Sequence, residues 1–301
     1  MHYLQHSMRR EGILKLGLLT AGLALASVVV GLSGVAFAQQ GVPTATLDHF
    51  KCYQAEGQSV NDLVFLRDQF GVADKTFERD IVTQAKFFCN PTRKVHVTAG
   101  AVIQVGINNP DAHLTWYEIK PALNQQFQPR QVVVTNQFVP NGQQLTVIKP
   151  RFLAVPTQKV SVDDNPTDHG SPEGLDHFKC YQVEGAPLVK ESAQLSDQFN
   201  LANTGDTFKV MRATYLCNPV AKFHFTGFDG ENGPQYTFAQ IQHPNDHLMC
   251  YSLLPTTSAA HKLGVNNQFG SPQQLNTIQT KLLCVPSTKR VVPPGGDNNP
   301  T

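Results

Sequence analysis

The sequence Leu-Asp-His-Phe-Lys-Cys-Tyr-Gln fills residues 47–54 and recurs unchanged at residues 175–182. Two related copies, Ala-His-Leu-Thr-Trp-Tyr and Asp-His-Leu-Met-Cys-Tyr, begin at residues 112 and 246. An Asp/Asn-Gln-Phe triplet and then a Pro-x-x-Lys turn follow each copy, so the chain is predicted to repeat one module four times. The triplets start at Asp68, Asn136, Asp197 and Asn267, and the turns run from Pro91, Pro156, Pro219 and Pro286 to Lys94, Lys159, Lys222 and Lys289.

Six cysteines occupy the same two positions in three of the four modules. The second module has Trp116 and Ala154 at those positions, so both thiols are missing together. Joint loss is expected when the two cysteines of a module are bonded to each other, and a large ring facing a methyl group is a plausible filling for the vacated space. The sequence therefore predicts the disulfides Cys52–Cys89, Cys180–Cys217 and Cys250–Cys284.

The first and third modules match best, which predicts that a two-module domain was duplicated. A polar stretch rich in turn-forming residues separates the two halves and is predicted to be a linker. The predicted divisions are a signal peptide at 1–38, a first β domain at 47–162 with modules 48–97 and 112–162, the linker at 163–174, a second β domain at 175–292 with modules 176–225 and 246–292, and a flexible tail at 293–301.

The fold class is predicted to be all-β. Apolar and polar residues alternate through the first strand of each module, and the 20 prolines and 22 glycines suit short strands joined by turns. One module alone is too small a sheet to bury a good core. We therefore expect two tandem pseudo-twofold domains, each a β-sandwich or semi-closed barrel, and keep a single four-bladed propeller-like ring as the alternative.

The first 38 residues predict export. Arg9, Arg10 and Lys15 precede an apolar run at residues 16–35, and Ala36-Phe37-Ala38 has the small residues of a cleavage site. An uncleaved membrane anchor is the alternative interpretation. No second apolar run of spanning length follows in the sequence. Export would place the cysteines in an oxidising compartment, periplasmic or extracellular. The near balance of 24 Lys and Arg against 23 Asp and Glu argues against nucleic-acid binding.

A histidine stands three residues before the first cysteine position of every module. His113 is retained where both thiols are absent, so a structural role is preferred to zinc binding by cysteine and histidine. A His-based metal site formed by His49, His96 and His113 remains an alternative. His96 and its counterpart His224 are predicted to be solvated, as are the lysines of the Pro-x-x-Lys turns. The histidines that stand three residues before the first cysteine position are His49, His113, His177 and His247.

Asp68 and Asp197 are candidates for acid–base catalysis. Asn136 and Asn267 replace them in the other modules, and an amide preserves a turn-capping acceptor but not a catalytic carboxylate. The Gly-x-Ser-x-Gly, His-Glu-x-x-His and glycine-rich phosphate motifs are missing from the sequence. A secreted hydrolase that uses carboxylates or histidines remains the alternative function, and no cofactor is predicted.

The leading hypothesis is a non-catalytic exported module with a binding or structural role. The stretches 98–110 and 226–244 differ most between the two halves and are interpreted as variable loops. The second contains Phe228, Tyr236 and Phe238 among glycines, which predicts contact with carbohydrate or another exported protein.

The motif set Leu-Asp-His-Phe-Lys-Cys-Tyr, Cys-Asn-Pro-x-x-Lys, His-Leu-x-Cys-Tyr and Leu-Cys-Val-Pro-Ser-x-Lys resembles a family of secreted bacterial domains of unknown function. The likeness covers residues 47–290. It implies membership and an exported location, but no mechanism. Trp116 and Ala154 depart from the pattern, where a second bridge of the first domain is expected.

Overall fold

The computed structural model describes residues 46–71, 77–98, 100–122, 126–200, 205–230 and 233–293. The predicted signal peptide and nearly all of the predicted tail lie outside these residues. The described residues form 17 strands, joined only by antiparallel ladders, and contain no helix that is long and apolar enough to span a membrane. The strands are β1 (Phe50–Gly57), β2 (Ser59–Arg67), β3 (Glu78–Pro91), β4 (Arg93–Thr98), β5 (Ala101–Val105), β6 (His113–Pro121), β7 (Arg130–Asn136), β8 (Val139–Val162), β9 (Asn165–Pro166), β10 (Phe178–Glu184), β11 (Glu191–Ser196), β12 (Asp206–Pro219), β13 (Ala221–Asp229), β14 (Gly233–Ala239), β15 (His247–Leu254), β16 (Lys262–Asn267) and β17 (Gly270–Val291).

Eight of these strands form a closed hydrogen-bonded ring. Each module contributes two of them, one that begins at or directly after the histidine and contains the first cysteine position, and one that contains the second cysteine position. The ring runs β1, β3, β6, β8, β10, β12, β15, β17 and returns to β1. The all-β prediction is confirmed, and the hydrogen bonding is ring-like.

The ring joins the two halves of the sequence directly. β8 pairs with β10 and β17 pairs with β1, so ladders cross both junctions between the halves. The predicted linker contains β9, which pairs with the end of β8. The described residues all belong to one compact unit. The division into two domains stays a prediction about how the chain arose and folds.

The three disulfides and Trp116 lie together in one buried core cluster. Each bridge joins residues that face each other in register, Cys52–Cys89, Cys180–Cys217 and Cys250–Cys284. They close loops of 37, 37 and 34 residues, which the chain-entropy model equates to about 4 kcal/mol each.

Trp116 faces Ala154 in the same register in the second module. Its side chain is fully buried. Elsewhere in the ring interior, Sγ of Cys52 lies 3.9 Å from Sγ of Cys284, so bridges of neighbouring modules touch. The indole therefore fills the place that a fourth bridge would occupy.

Two β-hairpins leave the ring, one in each half. β4 pairs with β5 and with β11, whereas β13 pairs with β14 and with β2. The interpretation of residues 98–110 and 226–244 as loops is therefore wrong where the hairpin strands run, over residues 101–105 of the first stretch and residues 226–229 and 233–239 of the second. Sequence difference between the halves suggested loops, but the second stretch forms a hairpin in which Gly227 lies at a bulge of β13 with φ of 141° and Gly233 begins β14 with φ of 76°.

Candidate functional site

The hairpin β13–β14 and strand β2 present one face covered by aromatic rings. Phe65, Phe223 and Phe238 are partners in register across the three strands, and Phe225 faces Tyr236 one step further along. Register partners share a face of a sheet, so these side chains project together. The aromatic face, as we call it below, consists of Phe65, Phe77, Phe223, Phe225, Phe228, Tyr236 and Phe238.

The rings of the aromatic face pack against each other and are still open to solvent. The centroids of Phe223 and Phe238 are 4.2 Å apart with nearly parallel planes, and those of Phe77 and Phe223 are 4.9 Å apart. Phe228 is 79% exposed, Tyr236 47% and Phe238 45%. A contiguous exposed apolar patch of this kind marks an interaction surface.

Two arginines and a cavity border this face. The Arg67 guanidinium lies 4.6 Å from the centroid of Phe77, and that of Arg79 lies 5.7 Å from the centroid of Phe65. Small-molecule pockets in proteins usually measure about 300–1,000 Å³. The cavity beside Phe238 measures 560 Å³ and also involves Ala221 and Ile241.

Strand β14 is the outer edge of this sheet. Among the described residues its only ladder is with β13. Roughly half of the backbone N–H and C=O groups of an edge strand point away from its partner, and such groups can pair with another chain.

A counterpart of this sheet is built from β11 of the second half and the hairpin β4–β5 of the first half. Its strands pair in the same register as those of the aromatic face. Gln194, Val95 and Gln104 are partners across the three strands, and Val97 is opposite Val102. The outward residues here are aliphatic or polar. The corresponding pairs are Phe65 and Gln194, Phe223 and Val95, Phe225 and Val97, Tyr236 and Val102, and Phe238 and Gln104.

One end of the ring forms a cup on the axis around which the modules are arranged. Its floor consists of Phe87, Phe152, Tyr215 and Leu282, each two residues before the second cysteine position of its module. The cavity measures 330 Å³. The rim carries the cations Lys86, Arg151 and Lys281 and one acidic group, Glu118, whose Oε1 lies 3.7 Å from Nη2 of Arg151.

The turn lysines are buried, contrary to the prediction that they face solvent. Lys94, Lys159 and Lys222 are each at most 1% exposed. Burial lowers the pKa of Lys94 and of Lys222 to about 7 and that of Lys159 to about 8. The prediction is wrong because the hairpins and triplets of other modules cover these strand starts.

His96 and His224 are also buried, not solvated. Nδ1 of His96 lies 2.7 Å from Nζ of Lys94 and forms a hydrogen bond with it. Nε2 of His224 lies 3.2 Å from Oδ2 of Asp62. Desolvation lowers the pKa of both imidazoles, and the lysine beside each acts in the same direction.

The glutamine of each triplet joins one module to the preceding one. Gln137 contacts Lys94 and, at 2.7 Å, Nε2 of His49. Gln198 contacts Lys159 and His113 in the same way, and Gln268 contacts Lys222 and His177. Gln69 completes the cycle by donating to the carbonyl of Pro244 at 2.9 Å. The sequence signal for these contacts was the presence of the glutamine in all four triplets.

The repeat architecture agrees with a comparison against protein families. A family described as a repeat of unknown function (DUF7450) matches residues 113–286, more than half of the chain. The chain belongs to this family. The DUF7450 match extends over modules two to four, and it agrees with the resemblance to a repeat family of unknown function. No curated protein and no solved structure matches the chain.

In this DUF7450 protein Asp68 and Asp197, candidates for acid–base catalysis that the sequence favours as turn caps, are internal hydrogen-bond acceptors. Oδ1 of Asp68 and of Asp197 accepts the backbone N–H of Phe70 and Phe199, as a turn-capping role requires. Oδ2 of Asp197 also accepts the hydroxyl of Tyr53 at 2.6 Å. Both aspartates are at most 3% exposed.

Of the histidines that recur in the four modules, His49, His113 and His247 are buried as well. Desolvation, followed by the charge of the neighbouring lysine, lowers the pKa of His49, His113 and His177 to about 3. Within the described residues no group of three or more His, Cys, Asp or Glu is arranged to hold a metal ion. The predicted structural role of these histidines remains the interpretation that their contacts support.

Proposed function

We propose that this protein is an exported, non-catalytic binding module whose aromatic face binds an extended segment of another polypeptide. The observation that carries the proposal is the combination of seven aromatic rings on one sheet face with a free strand edge beside them. Phe228, Tyr236 and Phe238, predicted from the sequence as binding residues, are its most exposed members.

A polypeptide strand fits this surface better than a carbohydrate does. The free edge of β14 offers main-chain hydrogen bonds, and alternate side chains of an added strand would lie against the rings. Six of the seven rings are phenylalanine, which offers no hydrogen bond to a sugar hydroxyl. An uncovered apolar edge promotes aggregation, so a partner that covers it is expected.

Export is part of this proposal. The three disulfides and the lack of a membrane-spanning helix in the described part of the chain are consistent with a secreted protein. The predicted signal peptide at 1–38, with cleavage after Ala38, supports that location. Amino-terminal sequencing of the exported protein tests the cleavage site, and an amino terminus at Gln39 is expected.

The counterpart hairpin provides a matched variant for testing the binding surface. We expect a display library of random short peptides to yield sequences with alternating apolar residues that bind the purified protein. The double variant Tyr236→Val and Phe238→Gln, which introduces the counterpart's residues, should weaken their binding at least about tenfold. Val102→Thr, at the corresponding position of β5, is the control and should leave binding unchanged.

Two results would overturn the choice of partner. Peptides that bind the double variant as tightly as the native protein would place their site elsewhere. A glycan array signal that the double variant abolishes, with no peptide binding, would show that the aromatic face binds carbohydrate.

The cup is a second candidate site, for a small anion with an apolar body. Its aromatic floor would contact the body and its three cations the charge. An anilinonaphthalene sulfonate dye is a suitable probe, since it combines both properties. With the aromatic face covered by a saturating selected peptide, Arg151→Gln with Lys281→Gln should abolish the remaining dye fluorescence. Equal fluorescence in the cation variant contradicts this site.

A further inference from the structure

Three side chains from different modules meet at a buried site beside the ring of Phe70. Nζ of Lys289 in β17 donates to Oδ1 of Asn218 in β12 at 2.6 Å. Nδ2 of Asn218 donates to Oδ2 of Asp68 at 2.9 Å. The exposed fractions are 8%, 0% and 3%, and the ring of Phe70 lies 4.3 Å from Nζ. An amine, a carboxamide and a carboxylate are therefore aligned where little of any of the three side chains is exposed to solvent.

We propose that Lys289 and Asn218 form an intramolecular isopeptide bond, with Asp68 as the group that transfers the proton. Nζ of the neutral amine attacks Cγ of Asn218, and the bond from Cγ to Nδ2 breaks. A proton from Nζ passes through the Asp68 carboxylate to Nδ2, which leaves as ammonia. The product is a secondary amide, and the balance requires no oxidant, cofactor or further reactant.

The surroundings meet the requirements of this reaction. Desolvation lowers the pKa of Lys289 to about 7, against the opposing charge of Asp68, so a large fraction of the amine is neutral at physiological pH. Asp68 already contacts the nitrogen that must leave. Holding two groups in reacting geometry raises their effective concentration by many orders of magnitude, which compensates for the low reactivity of an amide.

The repeat supplies an internal comparison for the reaction. Lys159, Asn90 and Asp197 occupy the corresponding positions in the other half of the ring. There Lys159 contacts Gln198, Oδ1 of Asn90 has no hydrogen-bond partner, and Nδ2 of Asn90 is 3.4 Å from Oδ2 of Asp197. This second site lacks the contact between amine and carboxamide, so no bond is assigned to it.

The remaining two modules cannot take part in the reaction through this position. They have Val155 and Val285 where the asparagines stand, so the carboxamide is missing. A single bond per chain is therefore the expected number.

Peptide mapping of the exported, folded chain tests the proposal. We expect one branched peptide that contains Asn218 and Lys289 and has lost one ammonia. Fragmentation of this peptide is the decisive measurement, because cyclisation of an amino-terminal Gln39 or of an asparagine changes the intact mass equally. Recovery of the Asn218 and Lys289 peptides unlinked from the folded native protein would overturn the proposal.

Matched variants separate chemistry from folding. Asp68→Asn keeps the turn-capping oxygen that Asn136 and Asn267 provide in other modules, and it should fold without the branched peptide. Lys289→Met should also lose it, and Lys159→Met should keep it. A branched peptide that persists in folded Asp68→Asn contradicts the role of Asp68, and one that disappears in folded Lys159→Met contradicts the assignment to Lys289.

Discussion

The aromatic face and its aliphatic counterpart share a backbone and differ in their outward side chains. β13 pairs with β2 and β14 in the same register in which β4 pairs with β11 and β5. The inward residues are alike, since Lys94 and His96 correspond to Lys222 and His224 and all four are buried. The difference shows that the scaffold and the exposed surface vary independently in this repeat.

The largest effect is expected at the core that supports both hairpins. Trp116→Ala removes the ring that stands in for a disulfide and should lower the free energy of unfolding by about 3–5 kcal/mol. Denaturant titration measures this loss, with the exposed substitution Tyr236→Val as the control, expected within about 0.5 kcal/mol. If hydrogen exchange then quickens in only one hairpin, the two regions do not depend on a common core.

The next effect concerns binding alone. Replacing Phe238 by glutamine, the residue of the counterpart, should weaken peptide binding by about 2 kcal/mol, because aromatic anchors dominate such interfaces. Titration calorimetry with a selected peptide measures the loss. The reverse substitutions, Val102→Tyr with Gln104→Phe, should give the counterpart measurable affinity. If the folded variant gains no peptide affinity, outward-facing rings alone are not sufficient for binding.

A smaller effect is expected from pH, and it should be common to both regions. Lys94 and Lys222 have a pKa of about 7 in the folded protein and an ordinary value of 10.5. The unfolded chain binds more protons between these values, so stability should rise from pH 7 towards pH 9.5, by at most about 1.4 kcal/mol per pH unit for each lysine. Denaturant titrations across this range measure the slope, which Lys94→Met and Lys222→Met should reduce equally. Unequal reductions would show that the two buried sites differ.

The smallest effect is expected on the exposed aliphatic hairpin. Val102 is 68% exposed, so Val102→Thr should change the free energy of unfolding by less than about 0.5 kcal/mol. Thermal unfolding and peptide titration together check this. A loss of peptide affinity would show that both hairpins contact the partner.

The sequence predicted the features that are repeated from module to module. Loss of both cysteines at Trp116 and Ala154 identified the paired positions, and alternation in Phe223-His224-Phe225 indicated a strand. The contact of Phe65 with Tyr236 was not predictable, because the register between strands so distant in the chain depends on ring closure and leaves no local pattern. The burial of Lys94 was missed for a related reason, since a strand lysine ordinarily faces water unless another module covers it.

The pairing of β17 with β1 makes the first and last ring strands neighbours. The backbone groups of all eight ring strands are paired only when both β1 and β17 are present. The strand that contains Cys284 must therefore join before the ring closes. A polypeptide with these strand pairings cannot close its ring until β17 has been made, so compaction is a late step in its folding.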